Sequence, residues 1–198
     1  MTLKPLKPLK GCKTVIMNLF FLHINPEICA QQHCDKHVVK MLLEIVQMLY
    51  TAHHLLGSEL PDFAYRKISN HNHPTAIWIR MNQENYSYAS KLAMCLSEEY
   101  THRYNRIHSC DKHIKYLINH LPVFKEQSYK SCKKKVDFGT MDDFVIPLSM
   151  PDECKTESVV TSYRNYYNLY KKSFAKWTNR NPPPWFTNIN IRIFFKKK

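Results

Sequence analysis

The chain has 198 residues, enough for one domain with a real core, and 44% of them are hydrophobic, which excludes a disordered chain. Its 3 glycines argue against a turn-rich sandwich or barrel and against a glycine-rich phosphate loop. A formal net charge of +13 exceeds what solubility needs and favours a polyanionic partner, nucleic acid before an anionic membrane surface.

Residues 1–16 carry a KPLKPLK repeat and lack the long apolar core of a secretory signal, so they are expected to be a basic tail, with Met17 an alternative start. MNLFFLHI (17–24) is short and apolar and predicts a strand or a buried extended arm. Asn25-Pro26-Glu27 then opens a helix: a capping side chain, a proline in the first turn and an acid at the positive dipole end. Its pattern runs to about Leu56, where Gly57 and Pro61 stop it. Pro74 opens a second helix to about Tyr104, and a third fits residues 109–121, ended by Pro122. Residues 123–155 are charge-mixed and predict a long irregular loop; ESVVTSYRNYYNLYKKSFAKW (157–177) predicts a last helix, ended by PPPWF (182–186). NIRIFFKKK (190–198) closes the chain as a short strand or basic tail. The fold class is therefore mainly α: a compact helical bundle over residues 17–186 between basic tails at 1–16 and 187–198.

Seven scattered cysteines (Cys12, Cys29, Cys34, Cys95, Cys110, Cys132 and Cys154) show no CxxC and no framework spacing. Reduced thiols in a cytosolic or nuclear setting, not a secreted one, are expected.

The first helix carries the feature most suggestive of chemistry. At about 100° per residue, His33, His37, Lys40 and Glu44 fall within an arc of roughly 60°, and Gln47 and Thr51 extend that line. Val38, Val39, Leu42, Ile45, Val46 and Leu49 cover most of the remaining circumference. A surface helix normally shows a broad polar face and an apolar stripe; here the proportions are reversed. The seam is either the exposed edge of a core helix, with Lys40 and Glu44 as an i,i+4 pair, or a site where amine, carboxylate and imidazole are held on one rigid element. Asp35, on the far side, is expected to cap or pair within the fold.

His71 and His73 precede the second helix, whose N-terminus suits an anion. Trp78, Arg80 and Tyr86 follow, offering aromatic faces and a guanidinium for a displaced base, although Trp78 suits the core equally well. His33-x3-His37 with His71-x-His73 has metal-like spacing but no accompanying thiolate pair, so no metal and no cofactor is assigned. On the last helix, Val159, Tyr163, Tyr167, Tyr170, Phe174 and Trp177 recur at spacings of three and four and form a core stripe. The other side carries Arg164, Lys171, Lys172 and Lys176, candidates for phosphate contacts that are blind to base sequence.

With these residues in view, the chain resembles a family of small phage and giant-virus proteins. The likeness is carried by HCDKHVVKMLLE (33–44), NHPTAIWIR (72–80), QENY (83–86), EYTHRY (99–104), YRNYYNLYKKSFAKW (163–177) and PPWF (183–186), over roughly residues 17–186. Some members are labelled pyrimidine-dimer DNA glycosylase, because they are similar to repair enzymes of the endonuclease V type. That class is compact and helical, flips a nucleotide opposite the lesion, and uses an N-terminal amine and a glutamate on its first helix. ICAQQH (28–33) resembles the opening of that helix. At the position matching the glutamate stands Lys40, with Glu44 one turn later, and an N-terminal amine here requires processing or a start at Met17.

The expected function is a viral, DNA-acting base-excision glycosylase and abasic-site lyase on damaged or modified pyrimidines. Lys40 would be the amine, Glu44 the carboxylate, and His37 and His33 their companions. Burial beside the cations Lys36 and His37 would help Lys40 lose its proton. DNA would be held by Lys36, His71, His73, Trp78, Arg80, Tyr86, Arg164, Lys171, Lys172 and Lys176. A non-enzymatic DNA-binding or genome-packaging protein is the alternative, and a metal-dependent nuclease the third reading.

Overall fold

The computed structural model describes residues 19–125 and 136–187. The N-terminal tail, Met17, the KSCKKK run and the C-terminal tail beyond Thr187 lie outside them.

The fold is mainly α, about 52% helical with a single two-stranded sheet among the described residues. Its helices are α1 (Pro26–Gln32), α2 (Asp35–Leu56), α3 (Pro74–Ile79), α4 (Gln83–Tyr104), α5 (Asp111–Asn119) and α6 (Val159–Tyr166), the last continuing as a π-turn over Tyr167–Lys171. Strands β1 (Phe138–Met141) and β2 (Phe144–Pro147) form an antiparallel hairpin. None of the described helices is long and apolar enough to cross a membrane.

The long helix α2 packs along α4, and α1 also rests on α4. Leu19 to Leu22 run as a buried arm through the middle. This arm is extended but joins no sheet; its polar groups are met by side chains. Arg164 Nε donates to the Leu22 carbonyl at 3.0 Å, and the Cys29 thiol to that of Phe20. Phe21 packs against Trp78, Tyr88 and Tyr163 with ring centroids 5.5 to 5.6 Å apart. Each such fully buried side chain contributes about 1.5–3 kcal/mol.

Four expectations need correction. The helix expected from Asn25 to Leu56 is two, because His33 and Cys34 take extended backbone angles. There the Asp35 N–H is given to the Lys176 carbonyl at 2.8 Å, so the C-terminal segment supplies the partner that helix continuation would have supplied. The helix expected from Pro74 to Tyr104 also breaks, after Ile79, where the Asn82 side chain caps the N–H of Asn85 and Asn85 donates to the Trp78 carbonyl. Within the expected irregular loop, residues 138–147 form the hairpin, turned by Asp142 at φ +53° and docked by Thr140 N–H on the Glu157 carbonyl at 2.9 Å. Finally, the last helix ends as a π-turn, so Phe174 and Trp177 follow it in non-helical chain.

An ion network fixes the C-terminal segment. Arg103, fully buried, reaches Asp35 at 2.9 Å and Glu99 at 2.7 Å; Arg180 reaches Glu99 at 2.9 Å. Asp35 also accepts from the Thr178 backbone and hydroxyl, as its expected capping and pairing role requires. Burial raises the Glu99 pKa, but the hydrogen bonds from Arg180 and Arg103 outweigh it and hold the carboxyl below its ordinary value.

Candidate active site

On α2, Lys40 Nζ lies 3.1 Å from Glu44 Oε1. The two ends differ sharply: the lysine side chain is 56% exposed, the glutamate 5%. A carboxylate is thus held inside the protein by the rigid middle of a long helix, with its amine partner at the surface. The burial expected for Lys40 is not found.

One turn earlier, His37 is buried under the arm and the π-turn. Phe20 stacks on it with centroids 4.5 Å apart, and the Tyr167 hydroxyl meets Nδ1 at 2.5 Å. Burial first, then the positive surroundings of His33, Lys171 and Lys40, press the His37 pKa down to about 2. His37 is therefore neutral at pH 7, not the neighbouring cation expected from the sequence. Tyr167, fully buried, is held as a phenol by burial, which raises its pKa well above the ordinary value.

His33 belongs to neither the seam nor α2. It ends α1, buried, with Nδ1 donating to the Cys29 carbonyl at 2.7 Å, and burial lowers its pKa to about 4. The face expected from four residues is thus made by three, with His33 behind it. Further along, Thr51 accepts from the Ser69 backbone, so the loop before α3 crosses the C-terminal end of the seam.

The residues expected to hold DNA divide into two sets. Trp78 and Tyr86 are core: Trp78 donates to the Val145 carbonyl at 3.0 Å, and the Tyr86 hydroxyl meets His53 Nε2 at 2.8 Å. With no open ring face, neither is a stacking platform. Arg80 is buried too, and its guanidinium donates to the His71 carbonyl at 2.7 Å, tying the loop down rather than meeting phosphate. His73 caps α3 through Thr75 N–H, while His71 is exposed.

The second set keeps its charges nearer the surface. Lys36 sits over the Phe174 ring at 4.7 Å, and Lys171 lies 4.4 Å from the Tyr166 ring and 6.0 Å from that of Phe20. Arg164 stacks on Trp185 at 5.4 Å while bonding Leu22, Lys172 is half-buried, and Lys176 is exposed. Lys36 and Lys171 thus lie on Phe174 and Phe20, the rings that pack against the neutral His37. Sequence reasoning missed Phe20 and Tyr167 as members of this group. Both look like ordinary core residues, and only the π-turn and the arm bring them to His37.

Among the described residues, no group of three or more His, Cys, Asp and Glu side chains could hold a metal ion, so the two histidine pairs do not meet as a ligand set. Cys29, Cys34, Cys95, Cys110 and Cys154 are free thiols. A scan against protein-family models, a search of curated proteins and a search of solved structures found no match to the chain.

Proposed function

We propose that the protein is a DNA-acting base-excision enzyme, a glycosylase with abasic-site lyase activity on damaged or modified pyrimidines. One observation carries this reading: the i,i+4 pair of an exposed amine, Lys40, and a buried carboxylate, Glu44. The net charge of +13 and the surface lysines suit a phosphodiester backbone.

In this reading the Lys40 ammonium first gives up a proton, and Glu44 is within reach of it. The amine lone pair then forms a bond to C1′ of the target nucleotide. The C1′–N bond to the base breaks, its electron pair leaves with the base, and the base takes up a proton. Glu44 hands the proton it took from Lys40 to the departing base and, ionised again, offsets the positive charge on the sugar. The C1′–O4′ bond then breaks, its electron pair leaving on O4′, which takes the proton lost by the Lys40 nitrogen as that nitrogen forms an imine to C1′; borohydride reduces the imine to a stable amine.

The test is incubation with two duplexes, one holding an abasic site and one a cyclobutane pyrimidine dimer, in the presence of borohydride. A covalent protein–DNA adduct is expected with the native chain and none with Lys40→Met. Glu44→Gln is expected to slow formation by roughly 10²-fold or more, the scale of positioned proton transfer and charge stabilisation. Absence of any adduct, or full-rate trapping by Lys40→Met, removes the lyase mechanism.

A second reading is favoured by the withdrawal of Trp78, Tyr86 and Arg80 into the fold. It is a cationic DNA-binding or packaging protein that grips the backbone without reading or flipping a base. It predicts that Glu44→Gln changes nothing measurable, whereas replacing the surface lysines weakens binding.

A further inference from the structure

The His37 ring has one hydrogen bond among the described residues, to the Tyr167 hydroxyl, and the direction of that bond decides which nitrogen bears the proton. A neutral imidazole has one N–H and one lone pair. The buried Tyr167 keeps its phenolic proton, and its hydroxyl also meets both the backbone and the thiol of Cys34. An imidazole nitrogen is a stronger acceptor than a thiol sulfur, so the hydroxyl hydrogen goes to His37 Nδ1, 2.5 Å away, rather than to Cys34. Nδ1 is then the acceptor and Nε2 carries the hydrogen.

The ring cannot turn away from this arrangement. Phe20 stacks on one face at 4.5 Å, and Tyr167 and Phe174 meet it edge-on at 5.0 and 5.8 Å. Lys40, Lys171 and His33 are the charged and titratable groups acting on it, the two lysines supplying positive charge and His33, with its lowered pKa, none at neutral pH.

We infer that Tyr167 is a positioning residue that holds His37 as a neutral Nε2–H donor, and that this donor, flanked by Lys40 and Lys171, binds an anionic phosphodiester oxygen beside the target nucleotide. The inference deepens the proposed function and rests on it for the identity of the ligand. It gives His37 the task of a fixed donor rather than a proton carrier. The π-turn is the device that makes this possible: it places the Tyr167 hydroxyl against α2 while Lys171 reaches back over Tyr166.

Nitrogen-15 NMR of the histidines in the full chain at pH 7 tests the inference, by two-bond correlations that distinguish the two ring nitrogens. A bare Nδ1 and a protonated Nε2 are expected for His37. The Nε2 signal should move on adding a duplex with a tetrahydrofuran abasic analogue, which the enzyme cannot cleave. Tyr167→Phe should lose the tautomer preference and weaken duplex binding about 3- to 10-fold, the worth of one hydrogen bond. His37→Gln, which keeps a neutral N–H donor, should bind more tightly than His37→Leu.

A protonated Nδ1 in the native chain overturns the inference, as does an unmoved Nε2 signal at saturating duplex. Should Tyr167→Phe fail to fold, the native spectrum and the His37 pair of variants decide. These readouts do not need turnover. Failure to trap an adduct with the expected tautomer and duplex response sinks the enzymatic reading alone; a normal adduct with the wrong tautomer sinks this inference alone.

Discussion

Four histidines in the interior, His33, His37, His53 and His113, have lowered pKa values for the same reason: burial penalises the imidazolium. His37 is lowered to about 2, and His33 and His53 to about 4. The unfolded chain takes up these protons near the ordinary histidine value of about 6.5, while the folded one resists them. Their contribution to stability is therefore complete above about 6.5. It falls as pH drops from there towards 4, because the unfolded state then binds more protons. Urea unfolding followed from pH 7.5 to 4.5 should show a falling midpoint, with a slope approaching about 1.4 kcal/mol per pH unit for each histidine. His33→Asn should lower that slope by about one proton, and an unchanged slope would contradict burial as the cause. Glu99 acts in the same direction at lower pH. Its carboxyl is held below the ordinary value, so its contribution is present above the unfolded pKa and lost as pH falls through the folded one. Glu99→Gln leaves two arginines without their shared carboxylate and should cost about 3 kcal/mol in the same denaturant assay.

At the scale of elements, much of α2, α4 and α6 was legible, because apolar spacing and capping residues are local signals. Asn25, His73, Asn82 and Ser158 all cap helices with their side chains. Gly57 ends α2 at φ +76° with nothing within 4 Å of where a Cβ would sit. Gly57→Ala should thus cost about 1 kcal/mol through the backbone, with no clash added; a loss of several kcal/mol in thermal unfolding would mean that the cap does more than turn the chain. What the sequence hid depends on distant partners. The break at His33–Cys34 is bought by Lys176 and Thr178, more than 140 positions along the chain. The β1–β2 hairpin is four residues a side and needs Gly139, where a Cβ would lie 3.0 Å from the Glu157 carbonyl. Neither a short run nor a contact across the fold leaves a periodic trace. The seam of Lys40 and Glu44 was readable because two charges interrupt an apolar helix, whereas the Tyr167 bond to His37 depends on a π-turn no spacing rule anticipates.

For the whole molecule, charge is the dominant property. If the protein grips DNA as proposed, its affinity should fall steeply with salt, each neutralised phosphate adding about 0.9 to the slope of log K against log salt on duplex DNA. Lys36→Gln and Lys171→Gln should each reduce that slope by about 1 in fluorescence anisotropy, and Trp78 variants should alter stability instead. Equal slopes in native and lysine-substituted chains would place the phosphate contacts elsewhere. The proposed chemistry turns on one nitrogen. Borohydride-trapped complex, digested and read by mass spectrometry, should carry the sugar remnant on the peptide containing Lys40. A remnant on any other amine, or no remnant at all, contradicts the assignment of that lysine as nucleophile.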